Sequence, residues 1–442
     1  MHASIRISSY LILAFGFFLT NPTLIAADAS YLDNGIIRVG GDDKIGGAIT
    51  WLSKSGSEEN VINAYDWGRE VQMSYYGGPV PFIPEGKEVA PNWRALGWNP
   101  IQAGDAFGHR SKILEQTNDG RVLYVKCTPM QWPLNDVPGE CTFESWLELD
   151  GATVRARCRL TNHRADRQQY DARTQEMPAV YTNAAYFHIV TYKGDHPFAG
   201  EAPDAIVAKQ PPAWSGRWLT TERWSALVND AGWGLGVWSE ECCSSIGGFA
   251  GKPGVGDTHA APCGYLAPVR EEILDADIVH EYHYELTLGT VAEIRARAAK
   301  HPHESSPTWR FTEDRQGWWY HGAHDAGWPI HGELVVSYDK GNPQIRSPIF
   351  FCQAAENPAL IVDAAFTGGD SQVRVFWRRS SDPGFADERS ALFPISSDGQ
   401  FREYRFPLSN IATYSGAIVA LRIDPAHEAP GEAKIRSVRL VN

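Results

Sequence analysis

The 442-residue sequence lacks the short motifs of several common enzyme classes. It has no GxSxG nucleophile elbow, P-loop or HExxH motif, which disfavours serine hydrolase, nucleotide-dependent and zincin chemistry. Positive charge is also scarce, because 40 Lys and Arg residues against 53 Asp and Glu residues leave a formal net charge of −13. This balance argues against nucleic acid as a partner, and mildly against a strongly acidic polysaccharide unless a local basic cleft overrides the average.

Long apolar runs are absent beyond the N-terminus. The run "YLILAFGFFL" from Tyr10 to Leu19 follows Arg6, and small residues come next at Ala27 and Ala29. This layout predicts a secretory signal peptide over residues 1–29. The run is shorter than the roughly 20 residues of a spanning helix. We therefore predict a secreted or periplasmic protein without membrane insertion.

Cysteine is limited to seven residues, an odd number that leaves at least one thiol free. In an exported protein we expect structural disulfides that clamp loops. Cys127 and Cys141 flank a Pro-rich loop, and Cys242, Cys243 and Cys263 flank a Gly-rich one. Because the spacing fits no common zinc pattern, the sequence predicts no metal site and no cofactor, with a structural calcium ion left open.

Period-two alternation of apolar and polar residues dominates the chain, as in "TVRARCRLTN", "HEYHYELTLG" and "QVRVFWRR". It predicts an all-β protein with one short helix, "VAEIRARAAKH", from Val291 to His301. That helix and the Pro- and Ser-bearing segment after it divide the chain. We predict a β-supersandwich catalytic domain over residues 30–300, a linker over 301–307 and a β-sandwich over 308–442.

The C-terminal segment carries Trp309, Phe311, the "GWW" of residues 317–319, "SPIF" from Ser347 and "LRIDP" from Leu421. With these features it resembles the jelly-roll, carbohydrate-binding-type modules of secreted bacterial polysaccharide-degrading enzymes. The larger segment resembles, in overall pattern, the two-sheet supersandwich of galactose-mutarotase-like enzymes. Mutarotase His and Glu motifs do not match this sequence, so no catalytic residue is transferred. The resemblance implies a carbohydrate-active enzyme with a binding module, in which Trp318, Trp319 and Trp328 are candidate stacking platforms.

One segment, "DWGREVQMSYY", concentrates hydrogen-bonding and aromatic side chains. As a strand, this segment would place its polar side chains on one face, and a helix is the alternative. The interpretation without a functional role is a sheet face exposed to solvent. The mix of amides and tyrosines favours a sugar-binding cleft. The candidate residues here are Asp66, Arg69, Glu70, Gln72, Tyr75 and Tyr76.

Three further segments supply candidates. In "YDARTQEMPAVYTNAAYFHIV", Glu176 is either paired with a neighbour such as Arg173 or has a raised pKa for acid–base work, and His188 is a proton carrier or a structural imidazole. Arg173 is also a candidate substrate-binding residue. In "PGECTFESWLEL", Glu144 shares strand parity with Glu140 and Trp146. In "LTTERWSALV", Glu222 and Trp224 are candidate substrate-binding residues.

The leading functional hypothesis is a glycoside hydrolase that acts on a polysaccharide or oligosaccharide with two carboxyl groups. Glu176 is predicted to be one of them, and Glu144, Glu70, Asp66 and Glu222 compete for the other. A polysaccharide lyase is the alternative, with Tyr75, Tyr76 or His188 as base and Arg69 neutralising a uronic acid. A third hypothesis is a non-catalytic glycan-binding protein.

Overall fold

The structure, a computed structural model, describes residues 29–208, 216–302, 304–368, 370–425 and 429–442. The predicted signal peptide lies outside the described residues except for Ala29. No helix among the described residues is long and apolar enough to cross a membrane.

Regular structure in the described residues is almost entirely β-strand, which confirms the predicted all-β class. The N-terminal strands are β1 (Ala29–Asp33), β2 (Ile37–Asp42), β3 (Ile49–Lys54), β4 (Val71–Ser74), β5 (Pro100–Ile101), β6 (Lys112–Asn118), β7 (Val122–Thr128), β8 (Met130–Gln131), β9 (Cys141–Asp150), β10 (Thr153–Asn162), β11 (Arg173–Asn183), β12 (His188–Thr191), β13 (Asp204–Ile206), β14 (Arg217–Leu219), β15 (Trp224–Val228), β16 (Trp233–Ser239), β17 (Ser244–Ala250), β18 (Cys263–Glu272) and β19 (Val279–Thr290).

Helix α1 (Val291–Ala298) comes next, as the sequence predicts, and Thr290 begins it with a capping box to Glu293. The C-terminal strands are β20 (Thr308–Arg310), β21 (Trp319–His321), β22 (Ala323–Asp325), β23 (Leu334–Tyr338), β24 (Gln344–Arg346), β25 (Cys352–Gln353), β26 (Ala359–Gly368), β27 (Gln372–Arg379), β28 (Ser390–Pro394), β29 (Arg402–Pro407), β30 (Ala417–Asp424) and β31 (Gly431–Val441). Short 3₁₀ turns occur at Pro91–Leu96, Ala354–Glu356 and Asp387–Arg389.

Strands up to β19 form two antiparallel sheets packed face to face. The ten-stranded sheet, here the front sheet, runs β1-β2-β3-β4-β11-β18-β17-β14, with β5 and β8 added beside β4. The nine-stranded sheet, here the back sheet, runs β13-β12-β15-β16-β19-β10-β9-β7-β6. Strand alternation fills the space between them, since Val154, Cys158 and Leu160 of β10 are buried in this core.

The C-terminal strands form a second sandwich of two six-stranded sheets. The near sheet runs β21-β24-β30-β27-β28 with β25 beside β30, and the far sheet runs β22-β23-β31-β26-β29 with β20 beside β31. Trp318 is buried in the core between them and therefore is no stacking platform. Trp328 is only partly buried but packs against the core of the larger sandwich. Trp319 is also partly buried and packs against the core of the C-terminal sandwich from β21.

Polar contacts join the two sandwiches. The Arg315 guanidinium lies 2.7 Å from an Asp275 carboxylate oxygen of the larger sandwich and also binds Asp325 of β22. Gln169 donates a 2.7 Å hydrogen bond to the same Asp325. Removing one partner of a buried ion pair is strongly destabilising, because it leaves the other charge uncompensated. These contacts therefore stabilise the two sandwiches against each other. The boundary at residues 301–307 and the independent folding of its two sides stay predictions.

All seven cysteines are buried free thiols, so the expected disulfides are a wrong prediction for this structure. The physical reason is that these side chains serve as small apolar residues. Cys127, Cys141, Cys158 and Cys242 all belong to the core of the larger sandwich. Burial raises the pKa of Cys127 to about 12, which keeps its thiol protonated.

Candidate functional site

The outward face of the front sheet carries a cluster of one carboxyl group and several tyrosines. Along β4, Val71 and Met73 pack into the core, so the side chains of Gln72, Ser74 and the following Tyr76 point outward. Glu176 of β11 is paired with Ser74 and lies on the same face. The neighbouring pair Tyr181 and Tyr265 joins this group from β11 and β18.

Glu176 is held by two hydroxyl groups. The Tyr76 hydroxyl donates a 3.0 Å hydrogen bond to its Oε2, and the Tyr265 hydroxyl donates to its Oε1. The Tyr181 ring lies 4.9 Å from that of Tyr265 and extends the aromatic surface. Burial raises the pKa of Glu176, against the hydrogen bonds that lower it. A carboxyl group with a raised pKa beside an aromatic surface can donate a proton to a bound sugar.

Two arginines flank the cluster. Arg69 forms a 3.2 Å ion pair with Asp66 and lies 4.6 Å over the Tyr65 ring. Arg173 donates a 3.1 Å hydrogen bond to the Gly77 carbonyl, and its guanidinium lies 5.8 Å from the centre of the Tyr76 ring. Of the two alternatives for Glu176, the ion pair with Arg173 does not form, since Glu176 is bound by tyrosines instead.

Below the cluster, Glu70 and Gln72 are buried and support the backbone. Gln72 donates a 3.2 Å hydrogen bond to Glu70 and accepts one of 3.0 Å from the Ala103 amide. Only Val71–Ser74 is strand, because the preceding segment turns: the Asp66 side chain accepts the Gly68 amide hydrogen. Burial raises the pKa of Glu70 well above the usual range, with the Asp66 charge adding to the effect. Gln72 and Glu70 thus have a supporting position rather than a substrate-facing one.

Two other candidates lie away from this face. Tyr75 is buried between the sheets, where its hydroxyl lies 3.0 Å from His280 Nδ1. Glu144 is on β9 of the back sheet, with its side chain bound by the Tyr124 hydroxyl at 2.8 Å. Glu144 and Glu176 therefore face opposite sides of the sandwich, and the structure does not bring them together as a catalytic pair.

The remaining candidates have structural positions. Glu222 is buried, binds the Arg295 guanidinium of α1 and accepts a 2.7 Å hydrogen bond from the Trp224 indole. Trp224 itself lies in a core cluster with Ile294 of the helix. His188 is exposed, with its Nε2 2.8 Å from an Asp230 carboxylate oxygen. None of the three reaches the Glu176 cluster, so the structure does not bring them together with it, and their site roles stay predictions.

Sequence reasoning missed Tyr265, which donates to Glu176 from β18. The available signal was strand parity in "CGYLAPVREE", where Leu266 packs in the core and the tyrosine before it must face outward. The distance along the chain, 89 residues between the two partners, hid the contact.

The outward face of the back sheet holds a cavity of about 670 Å³. It is lined by Trp146, Trp238 and several ion-paired groups, and the Arg157 guanidinium lies 3.8 Å from the Trp146 ring centre. Although burial raises the pKa of Glu285, hydrogen bonds from Arg297 and His301 lower it overall. The carboxylate at the bottom of this cavity is thus held ionised.

One group of side chains beside this cavity offers metal-ligand atoms among the described residues. Glu240, Glu241 and His283 bring ligand atoms to within 4.8 Å of one another. Two carboxylates and an imidazole suit a transition metal better than calcium, which prefers oxygen ligands only. The structural calcium ion left open by the sequence therefore gains no support from this group.

No protein-family model matches the chain, and no curated protein matches it either. Among solved structures, it is similar to a galactose mutarotase-related enzyme from Lactobacillus acidophilus, at 10% identity and a TM-score of 0.37, over 59% of this chain and 97% of that one. A galactose mutarotase-like protein from Lactobacillus casei matches at 8% identity and a TM-score of 0.36, over 59% of this chain and 99% of that one.

A low-affinity xylan-binding module from Roseburia intestinalis matches at 13% identity and a TM-score of 0.22, over 31% of this chain and 95% of that one. All of these TM-scores lie below 0.5, so these structures assign no function to the chain.

Proposed function

We propose that the protein is an exported glycoside hydrolase in which Glu176 is the general acid. The observation that carries the proposal is the carboxyl group of Glu176, half-buried on an outward sheet face, with a raised pKa and two tyrosine donors. A general acid must be protonated near the working pH, and burial favours that form. Its position among three tyrosines gives a sugar ring aromatic surface beside the proton donor.

Asp66 is the second carboxylate of the proposal. Its side chain is 43% exposed, so it is accessible to a substrate, and it forms an ion pair with Arg69. Glu70, the other nearby acid, is buried and has a raised pKa, which disfavours an ionised role. Arg69 then positions Asp66 rather than neutralising a substrate.

The lyase alternative needs a tyrosine or histidine that loses its proton readily. Burial raises the pKa of Tyr76 well above its usual range, and the Glu176 charge raises it further. The pKa of Tyr265 is raised by burial and by Glu176 in the same way. Since both shifts oppose deprotonation, they favour hydrolysis over β-elimination.

The test is a screen of the purified protein on neutral and uronic-acid polysaccharides, followed by Glu176→Gln on the best substrate. New reducing ends and the ultraviolet absorbance of unsaturated products are measured together. We expect reducing ends without absorbance, and a loss of about 10²–10⁴-fold in turnover for Glu176→Gln. Glu144→Gln is the matched control because its carboxyl group also binds a tyrosine, but on the back sheet.

Equal losses in the two variants would contradict the assignment of the front sheet as the active face. Unsaturated products from the parent protein would establish the lyase instead. Binding without cleavage of any polymer would favour the non-catalytic alternative.

A further inference from the structure

A row of arginines lies on the outward face of the near sheet. Ile345, Val375 and Trp377 pack in the core of the C-terminal sandwich, so their strand neighbours point away from it. The outward side chains include Arg346 of β24, Arg378 of β27 and Arg422 of β30. We call Arg346 and Arg378 the junction arginines.

The junction arginines face the front sheet of the larger sandwich. Burial lowers the pKa of Arg378, and the charge of Arg217 on β14 lowers it further, while Glu271 on β18 opposes both. Burial and the charge of Arg422 lower the pKa of Arg346, and the charge of Glu271 raises it. Arg217 and Glu271 both belong to front-sheet strands, so the two sandwiches place these charges side by side.

The positive charge at this junction is balanced only in part, because Asp424 beside Arg346 is paired with Arg422, and Asp382 near Arg378 is paired with Arg379 and Arg389. Arg217 and Glu271 form an ion pair, with Nη2 3.1 Å from Oε2, and so neutralise each other. Arg346 donates 2.7 Å from its Nε to Gln344, a neutral amide. The buried Nε of Arg378 has no hydrogen-bond partner in the described part of the chain. A half-buried cation without an acceptor is costly unless a ligand supplies the anion.

The junction continues the face that carries Glu176. Thr174 lies two residues before Glu176 on β11, about 6.6 Å along the strand, and faces the same way. Its hydroxyl is 3.4 Å from Glu271, the acid whose charge raises the pKa of both junction arginines. Trp319 is half-exposed beside them, with the Arg346 guanidinium 4.8 Å from its ring centre.

We propose that the substrate is an acidic glycan, and that Arg378 and Arg346 bind the anionic group of a sugar residue next to the one at Glu176. The inference rests on the proposed function for its choice of a sugar chain. A planar guanidinium pairs bidentately with a carboxylate or a sulfate, and Trp319 supplies a stacking surface for the same residue. This local basic cleft overrides the acidic average of the chain.

The test is affinity electrophoresis and calorimetry with three polymers: polygalacturonate for carboxylate, dextran sulfate for sulfate, and dextran as the neutral reference. We expect the parent protein to bind at least one anionic polymer, and Arg378→Met to weaken that binding roughly 10- to 100-fold. Arg378→Lys restores part of it by keeping the charge. The polymer whose binding depends on Arg378 identifies the anionic group.

Arg405→Met is the matched control, because Arg405 is exposed on β29 of the far sheet. It leaves binding unchanged if the junction is the site. Thermal unfolding of Arg378→Met checks folding, and we expect no loss of stability, because the buried Nε has no acceptor to lose.

Three results would overturn the inference: no binding of either anionic polymer, unchanged binding in Arg378→Met, or equal weakening by Arg405→Met. Cleavage is scored separately with Glu176→Gln, which should bind like the parent. Loss of binding in Arg378→Met together with an active Glu176→Gln would support the anionic site and contradict the proposed catalytic role.

Discussion

The two outward faces of the larger sandwich hold similar residues in different electrostatic settings. On the front sheet, Glu176 is bound by tyrosine hydroxyls, and burial raises its pKa. On the back sheet, Glu285 is bound by Arg297 and His301, which lower its pKa. Both faces carry aromatic rings, so composition alone does not distinguish them.

The difference lies in the pKa of the buried acid on each face. The pKa of Glu285, bound by a guanidinium, is lowered, whereas the pKa of Glu176, bound by neutral hydroxyls, is raised by burial. Under the proposed function, Glu176 on the front sheet is the proton donor, and the cavity on the back sheet is not the active site.

Glu222→Ala should give the greatest loss of stability. Glu222 is buried and binds Arg295 of α1, the Trp224 indole and the Phe198 amide. Removing it leaves a guanidinium without its partner, which costs about 3–5 kcal/mol in the free energy of unfolding. Chemical denaturation followed by circular dichroism measures this loss.

Glu176→Gln is the counterpart on the front sheet. Because the folded-state pKa of Glu176 is raised, its contribution to stability is present below the unfolded pKa and is lost as pH rises through the folded value. The amide does not titrate, so we expect the variant to be at least as stable as the parent at neutral pH. If Glu176→Gln were markedly less stable than the parent at pH 7, Glu176 would stabilise the fold as Glu222 does, and the two acids would not differ.

Strand parity in the sequence predicts which face a side chain occupies, but not which sheet the strand joins. Glu144 points outward on β9 as its alternation predicts, yet β9 belongs to the back sheet, which pairing between distant segments decides. Tyr75 lies on the opposite face of its strand from Tyr76, as the strand reading predicts, and so faces the core. Glu176 also accepts a hydrogen bond from Tyr265, which lowers the pKa that burial raises, and this contact comes from a sheet order that local sequence does not encode.

Tyr76→Phe should shift the pH profile of activity. The Tyr76 hydroxyl lowers the pKa of Glu176, so its removal raises that pKa further, and the alkaline limb of kcat moves to higher pH. The lost hydrogen bond costs about 0.5–1.5 kcal/mol in the free energy of unfolding. Tyr124→Phe, which removes the equivalent donor to Glu144 on the back sheet, should leave the pH profile unchanged. If Tyr76→Phe left the pH profile unshifted, Glu176 would not be the acid that titrates in this profile.

Trp146→Ala should have the smallest effect on activity. Its ring packs 5.1 Å from Tyr124 and under Arg157, so its loss costs about 1 kcal/mol in stability through the cation–π contact. Because the back-sheet cavity holds its acid ionised, we expect kcat and KM to stay at the parent values. Tyr181→Ala, the aromatic counterpart beside Glu176, should instead raise KM by removing a surface on which sugar stacks. If Trp146→Ala raised KM and Tyr181→Ala did not, substrate would bind on the back sheet, and the contrast between the two faces would have to be reversed.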